Sequence, residues 1–414
     1  MAQRQAKDKD ASRVVVTGIG LVTSIGRGRT AWEALLAGRS GISPVSSFDT
    51  AAYSVHRGGE IADFPRPGEQ SDGEHGRATQ LAIAATRYAL ADGEIEVAAV
   101  DPIRAGVCMG TTSGEPQEVE RLNDALRAGV ATDIGARFGT HYPCHVLATN
   151  VAREVGFAGE VLVIPTACAA GNYAIAYASD ALRSGRQDVM LAGGADAFSR
   201  ITFSGFARLG AIAPELCRPF DRDREGMIPG EGAAMLLLER FDHARARGAR
   251  IYAEVAGYGL SCDAFHMTGA HPEGDGAVAA MRKALADAGL APEDVDYISA
   301  HGTGTERNDL IESRAVKVVF GEHAGRIPIS SIKSMLGHTM GAASAIEAAV
   351  CALALAEGRI PPTINHANID PECDLDVVPN VARTLPIEVA MSNAYAFGGN
   401  NSALVMRRVL DGGT

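Results

Sequence analysis

Three side chains along this chain could do chemistry together: Cys168, His301 and His338. Cys168 falls in Ile164-Pro165-Thr166-Ala167-Cys168-Ala169-Ala170-Gly171, where a β-rich run over 161–164 meets a helical pattern of small residues over 169–183. A cysteine in the first turn of a helix meets unpaired backbone N–H groups and the positive end of the helix dipole, and both favour a thiolate. A cysteine in an alanine-rich turn also serves as plain packing, so partners must decide. His301 opens His301-Gly302-Thr303-Gly304-Thr305, directly after the strand pattern of 296–300. His338 closes Lys333-Ser334-Met335-Leu336-Gly337-His338, after 328–332. A third segment, Asn393-Ala394-Tyr395-Ala396-Phe397-Gly398-Gly399-Asn400-Asn401, adds a glycine turn. Each lies at the end of a predicted strand, where α/β proteins build their sites. A nucleophile with two imidazoles is the combination that packing does not explain. A cysteine-protease arrangement uses one histidine and an Asn or Asp orienter, which leaves the second histidine without a purpose.

The elements that must carry these residues fall into two similar halves. In the first, 13–20 reads as a buried strand followed by a glycine turn, 77–91 as a helix and 105–109 as a strand ending in Gly110-Thr111-Thr112-Ser113-Gly114. The glycines of 18–20 resemble a dinucleotide fingerprint, but Thr23 stands where its third glycine belongs. Residues 47–73, rich in Gly, Pro and charge, read as surface loop. In the second half, 250–257 reads as a strand, 276–288 as a helix and 296–300 as a strand. Cys168 opens a long helix in the first half, and Gly341 opens a similar one over 342–357 in the second. Strands alternating with helices predict an α/β protein whose parallel or mixed sheet is covered on both faces. The predicted division is a tail over 1–12, expected to be mobile, then halves over 13–248 and 249–410. Two facing halves would bring both helix starts to one central site.

The chain has 414 residues, 46% of them apolar, enough for a large core or two pseudo-domains. No uninterrupted apolar run suggests a membrane span, and the polar residues 1–12 carry no export signal, so neither membrane insertion nor secretion is expected. The alanine-rich 342–356, interrupted by Ser344 and Glu347, reads as a buried helix. Seven cysteines at irregular spacings without a Cys-x-x-Cys pair suggest neither a zinc site nor a disulfide framework, and point to a reducing cytoplasm. A net charge of −12 argues against bulk nucleic-acid binding.

On Thr166-Ala167-Cys168, His301-Gly302-Thr303-Gly304-Thr305 and Lys333-Ser334-Met335-Leu336-Gly337-His338, in that order, the chain resembles the β-ketoacyl-acyl-carrier-protein synthases of the synthase I/II type, within the thiolase superfamily. Supporting matches are 220–226, 262–268 and Pro361-Pro362-Thr363-Ile364-Asn365, so the resemblance spans about 13–408. It implies a thiolase-like five-layer α-β-α-β-α fold, usually dimeric, and an acyltransferase that performs decarboxylative Claisen condensation. Cys168 would take an acyl group from a carrier-protein thioester, with the backbone N–H groups of Cys168 and Phe397 as the oxyanion hole. His301 and His338, as neutral imidazoles, would donate hydrogen bonds to the enolate left when malonyl-acyl-carrier protein loses CO₂. Lys333 would complete the catalytic group and Glu347 support it. Thr303, Thr305 and Thr268 would hold the phosphopantetheine arm, which arrives on the acyl carrier protein, so that no bound cofactor or metal is implied. Phe206 and Phe397 would line or gate the acyl pocket.

The departures from the family surround the acyl site. Ala169-Ala170 follow the nucleophile where hydroxyl residues are usual, Ala396 replaces a glycine before Phe397, and Glu306-Arg307 replace a proline-containing pair. They imply an unusual acyl chain, polyunsaturated or bulky, as in type II polyketide pathways, with fatty-acid elongation as the other pathway. An acidic carrier protein would need a local basic patch on this acidic chain, with Arg208, Arg218, Arg66 and Arg77 as candidates. The partner subunit is either a second copy or a chain-length-factor-like chain. Two alternatives are a non-catalytic chain-length partner, which would lack the nucleophile, and a coenzyme A-dependent thiolase, which needs a second cysteine in the C-terminal glycine loop.

Overall fold

The computed structural model describes residues 13–64, 75–130 and 134–409. The tail 1–12, part of the 47–73 loop and Arg66 lie outside them. Five strands of the first half are β1 (Val14–Thr23), β2 (Ala105–Gly110), β3 (Val161–Ile164), β4 (Val189–Asp196) and β5 (Gly232–Arg240). Five of the second are β6 (Ala253–Cys262), β7 (Tyr297–Ser299), β8 (Ile329–Ser330), β9 (Val389–Tyr395) and β10 (Asn400–Arg407). Their spatial order is β8-β7-β9-β10-β6-β1-β5-β4-β2-β3. It reads as the same five-strand motif twice, back to back. In each half the first and last strands pair antiparallel, the last and fourth antiparallel, and the fourth, second and third parallel. A short antiparallel ladder, Val14 opposite Val255 to Val16 opposite Ala253, joins the two sheets at their first strands.

Helices complete five layers. Those that bear on the layers and the site are α1 (Arg77–Asp92), α2 (Ala170–Arg183), α3 (Arg200–Arg208), α4 (Asp275–Ala288), α5 (Glu306–Phe320) and α6 (Ala343–Glu357). α1 packs on β1 and β5 outside one sheet, α4 on β6 and β10 outside the other, and α2 and α6 touch each other between the sheets. Because both faces of each sheet are covered, β1, β4 and β9 are buried at every position, including their glycines and polar residues. The segment Met340–Glu357 is long and apolar enough to cross a membrane, but 89% of it is buried inside this fold, which accounts for its composition. Central burial also explains the small residues after Cys168. A Cβ on Gly171 would sit 2.4 Å from the Ala345 nitrogen, so the close crossing of α2 and α6 requires glycine there.

Two strand boundaries differ from expectation for one physical reason. The glycines of 18–20 do not form a turn; β1 continues through them to Thr23. A Cβ on Gly18 would lie 2.2 Å from the Ala89 carbonyl oxygen and one on Gly20 1.8 Å from that of Ala85, both in α1. Likewise β6 starts later than 250 and runs past Gly257 and Gly259, whose Cβ atoms would collide with Ala288 and Ala280 of α4. In both halves glycine permits close packing of a helix on the first strand.

Candidate active site

Cys168 sits in a one-turn 3₁₀ segment, Ala167–Ala169, between β3 and α2. Ala167 holds φ 51°, a left-handed conformation that costs an alanine energy and sharpens the elbow presenting the thiol. The thiol is buried at 7% exposure. Its Sγ lies 3.0 Å from Nε2 of His338. The Met340 backbone N–H donates to Nδ1 of that ring at 3.2 Å, which leaves the ring proton on Nε2, facing the sulfur. Met340 itself has φ 53°.

His301 follows β7, and its ring meets that of His338 edge-on at 5.5 Å between centroids. The Lys333 ammonium lies 3.5 Å from Nδ1 of His301 and forms a buried ion pair with Glu347. As a donor, Lys333 occupies Nδ1 and leaves the His301 Nε2–H free to point away from it. Glu312 of α5 anchors the turn, accepting from the backbone N–H of His301 at 2.8 Å and of Gly302 at 2.7 Å. One ligand-type atom from each of Cys168, His301 and His338 lies within 4.8 Å of the others. That spacing suits a metal, but the adjoining Lys333 ammonium opposes a cation there.

Burial sets the charge states. Desolvation, reinforced by Lys333, holds both histidines well below the ordinary imidazole value, so both are neutral near pH 7. Burial pushes the Cys168 thiol up to about 12; Lys333 favours its ionisation and Asp196 opposes it. Cys168 therefore rests as a thiol and not as the thiolate expected from its place at a helix start. Loss of water around the sulfur outweighs the one nearby ammonium. Burial also raises the Glu347 carboxyl to about 7 against the pull of Lys333.

A cleft of about 730 Å³, counted to its open mouth, leads to these three side chains. Thr268, Thr303 and Thr305 line it, the last two joined by a 2.9 Å hydroxyl hydrogen bond. Phe206 of α3 and Phe397 also line it, their rings 5.5 Å apart. Phe397 begins the turn Phe397–Gly399, whose Gly398 N–H donates to the Met267 carbonyl at 2.8 Å. Ala396 adopts ordinary extended backbone (φ −136°, ψ 157°), so alanine is accommodated there without strain. Every proposed site residue except Lys333 and Glu347 thus borders one cleft; Lys333 stands behind His301, and Glu347 is paired to Lys333.

Of the candidate docking arginines, Arg208 is exposed and Arg218 half-buried, and neither makes an ion pair among the described residues. Arg77 does not belong with them. It is buried at 4% exposure and paired with Glu231 at 2.7 Å, because helix α1 starts inside the fold. Sequence reasoning missed Glu312, Asp196 and the cleft-lining Asp263, Arg307, Asn308, Tyr395 and Asn401. Arg307 was visible as a departure from the family pattern, and Tyr395 and Asn401 lay in the glycine-turn segment; Asp196 acts on partners 83 to 145 positions away, whereas Glu312 accepts from His301 and Gly302 only eleven and ten positions back.

Comparison with known proteins agrees with this geometry. The model of the β-ketoacyl synthase N-terminal domain matches residues 11–244, and that of the C-terminal domain matches residues 252–367. Nodulation protein E of Rhizobium sp. (strain N33) is 43% identical, over 96% of this chain and 99% of that protein. The 3-oxoacyl-[acyl-carrier-protein] synthase 2 of Coxiella burnetii is 40% identical, over 96% and 99%. The solved structure of the ishigamide ketosynthase/chain length factor superposes with a TM-score of 0.91 at 44% identity, covering 96% of this chain and 99% of that one. The chain belongs to the β-ketoacyl synthase family, the thiolase-fold acyltransferases that lengthen acyl chains by condensation.

Proposed function

We propose that Cys168 carries the growing acyl chain and that His301 and His338 drive its condensation with a malonyl unit borne on an acyl carrier protein. The observation that carries this reading is the 3.0 Å approach of His338 Nε2 to Sγ, with His301 edge-on beside it at the end of the cleft. In the first half-reaction Sγ attacks the carrier thioester carbonyl. The oxyanion rests on the backbone N–H groups of Cys168 and Phe397, and the C–S bond to pantetheine breaks. The thiol proton passes to the departing pantetheine sulfur. The His338 Nε2–H stabilises the sulfur as charge develops, which offsets the burial that keeps the resting thiol protonated.

In the second half-reaction malonyl-pantetheine occupies the same cleft, its arm along Thr268, Thr303 and Thr305. Its C–CO₂⁻ bond breaks, CO₂ departs and the electron pair becomes a thioester enolate. Two neutral imidazole N–H donors suit that oxygen, since an imidazolium would protonate it. The enolate carbon attacks the acyl-Cys168 carbonyl, the C–S bond breaks, and the thiolate regains a proton from solvent. Lys333, held by Glu347, fixes the His301 tautomer and its charge. Phe206 and Phe397 gate the acyl channel.

The acyl donor is a polyunsaturated or bulky chain of the polyketide kind, and a chain-length-factor-like subunit is the partner. The departure at Ala396, which lines the cleft, supports this reading, as does the likeness to the ishigamide pair. The intact nucleophile argues against a non-catalytic chain-length partner. The enzyme with its subunit, offered saturated and polyene acyl-carrier thioesters with [2-¹³C]malonyl-carrier, is expected to yield labelled β-ketoacyl product most rapidly from polyenes. Preference for saturated chains would assign it to fatty-acid elongation, and an absence of product from any donor would overturn the condensation itself.

Carrier docking draws on Arg208, two positions after the cleft-lining Phe206 in α3, and on Arg218, next to Cys217, whose sulfur contacts the Thr303 carbonyl. Arg208→Glu is expected to raise KM for the acyl carrier about tenfold at low salt with kcat nearly unchanged. The wild-type KM should rise with ionic strength toward that of the variant. A salt-independent KM would contradict the docking patch.

A further inference from the structure

The ends of β2, β4 and the turn before α6 meet where only backbone fits. A Cβ on Gly194 would lie 2.6 Å from the Gly341 carbonyl oxygen, and one on Gly341 2.5 Å from the Thr112 nitrogen. Into this junction projects Asp196, the last residue of β4, at 1% exposure. Its carboxylate takes four hydrogen bonds from two distant parts of the chain. From the first half come the Thr111 hydroxyl at 2.9 Å and the backbone N–H groups of Thr112 at 2.7 Å and Ser113 at 3.1 Å. From the second comes the N–H of Gly341 at 2.7 Å. Gly341 is the neighbour of Met340, the strained residue whose N–H fixes the His338 tautomer.

We propose that Asp196 is a positioning residue that clamps the His338 turn of the second half onto the Cys168 half. The proposal rests on the condensing role assigned to His338 above. The positive φ of Met340 is held against its own strain, and the Gly341 N–H to Asp196 bond is a restraint within one residue of it. Without that bond the turn relaxes, and Nδ1 of His338 loses the N–H that keeps its proton on Nε2. Burial raises the Asp196 carboxyl to about 6, so it is ionised at neutral pH despite its surroundings. The negative charges of Asp196 and Glu347 disfavour ionisation of Cys168, and Lys333 favours it. Asp196 therefore acts on the two reacting groups in opposite senses: it aids His338 and hinders thiolate formation.

That opposition supplies a test. Asp196→Asn removes the charge and puts an amide NH₂ where an acceptor stood. In a Cys168→Ala background, which isolates malonyl decarboxylation, the added Asn variant is expected to release CO₂ about 10- to 100-fold more slowly. In the presence of Cys168, the same substitution is expected to move the pH profile of iodoacetamide alkylation to lower pH. Thr111→Val, which keeps the charge and loses one donor, should slow CO₂ release less and leave the alkylation profile in place; it also serves should the Asn variant misfold. Unchanged decarboxylation would overturn the clamp, and an alkylation profile that stays put or moves upward would overturn the charge effect on Cys168. A parent enzyme that released no CO₂ would instead indict the condensing role of the histidines, while the alkylation profile would still decide the charge of Asp196.

Discussion

Cys168→Ala is expected to abolish acyl-enzyme formation and to lower condensation by about 10⁴-fold or more, the scale on which loss of a covalent nucleophile is felt. Intact-protein mass spectrometry after incubation with acyl-carrier thioesters would show the adduct on the wild type alone. Malonyl decarboxylation should persist within about tenfold, because the enolate would rest on His301 and His338, with Lys333 behind His301, and none of the three depends on the sulfur for its place. Lys333 is held by Glu347, the His301 turn by Glu312 and His338 by Met340. Cys168 is the only cysteine among the residues that line the cleft. Cys217 and Cys262 lie nearby, but their sulfurs contact the Thr303 and Gly398 carbonyls. An adduct retained by Cys168→Ala and mapped to Cys262 would move the nucleophile. The wild-type alkylation rate adds a second check. A thiol pushed up to about 12 reacts ever faster as pH rises through 8 to 10, whereas a helix-stabilised thiolate would level off near neutrality.

That contrast marks how far the residues could be read without coordinates. The nucleophile elbow and both histidine turns were legible because each is a local motif: a strand end, a glycine-flanked turn and a polar side chain within a few positions. The symmetry of the halves was legible in the repeated order of elements. What failed depends on distant partners. Helix-start reasoning predicted a thiolate, yet the Cys168 turn packs against the His338 turn, α6, β9 and β10, all far along the chain, and desolvation there wins. Gly18 and Gly20 read as a turn because the carbonyls that exclude their side chains belong to α1, some seventy positions later. Arg77 read as a surface cation because Glu231 lies 154 positions away. Asp196 left no trace because its meaning is a bond to Gly341, 145 positions on. Motifs report chemistry; the groups that tune it are assembled only by the fold.

The buried Lys333–Glu347 pair is where tuning and stability meet, and Lys333→Met is expected to damage both. Removing one member of a buried ion pair leaves the other without compensation, at a cost of about 3–5 kcal/mol. Here the cost depends on pH. Glu347 is already raised to about 7 by burial, and Lys333 is what pulls it down, so in the variant the carboxyl rises further and is protonated at neutral pH. A carboxyl raised in the folded state supports stability below its unfolded value and withdraws that support as pH climbs through the folded one. Stability of Lys333→Met should therefore fall more steeply than that of the wild type as pH rises above about 7. Lys333→Met/Glu347→Gln removes both charges and should recover most of the denaturant midpoint. It should not recover activity. His301 loses both the donor on Nδ1 and the neighbouring charge that helps depress its titration. Its proton can then sit on either nitrogen, and the acid limb of the pH–rate profile shifts upward. Both variants are expected to condense about 10²–10³-fold more slowly, the loss of one oriented donor at a developing oxyanion. Equal midpoints for the single and double variants would show that the pair does not hold the helix α6 face together. A double variant with restored turnover would mean that Lys333 serves the fold and leaves His301 to orient itself.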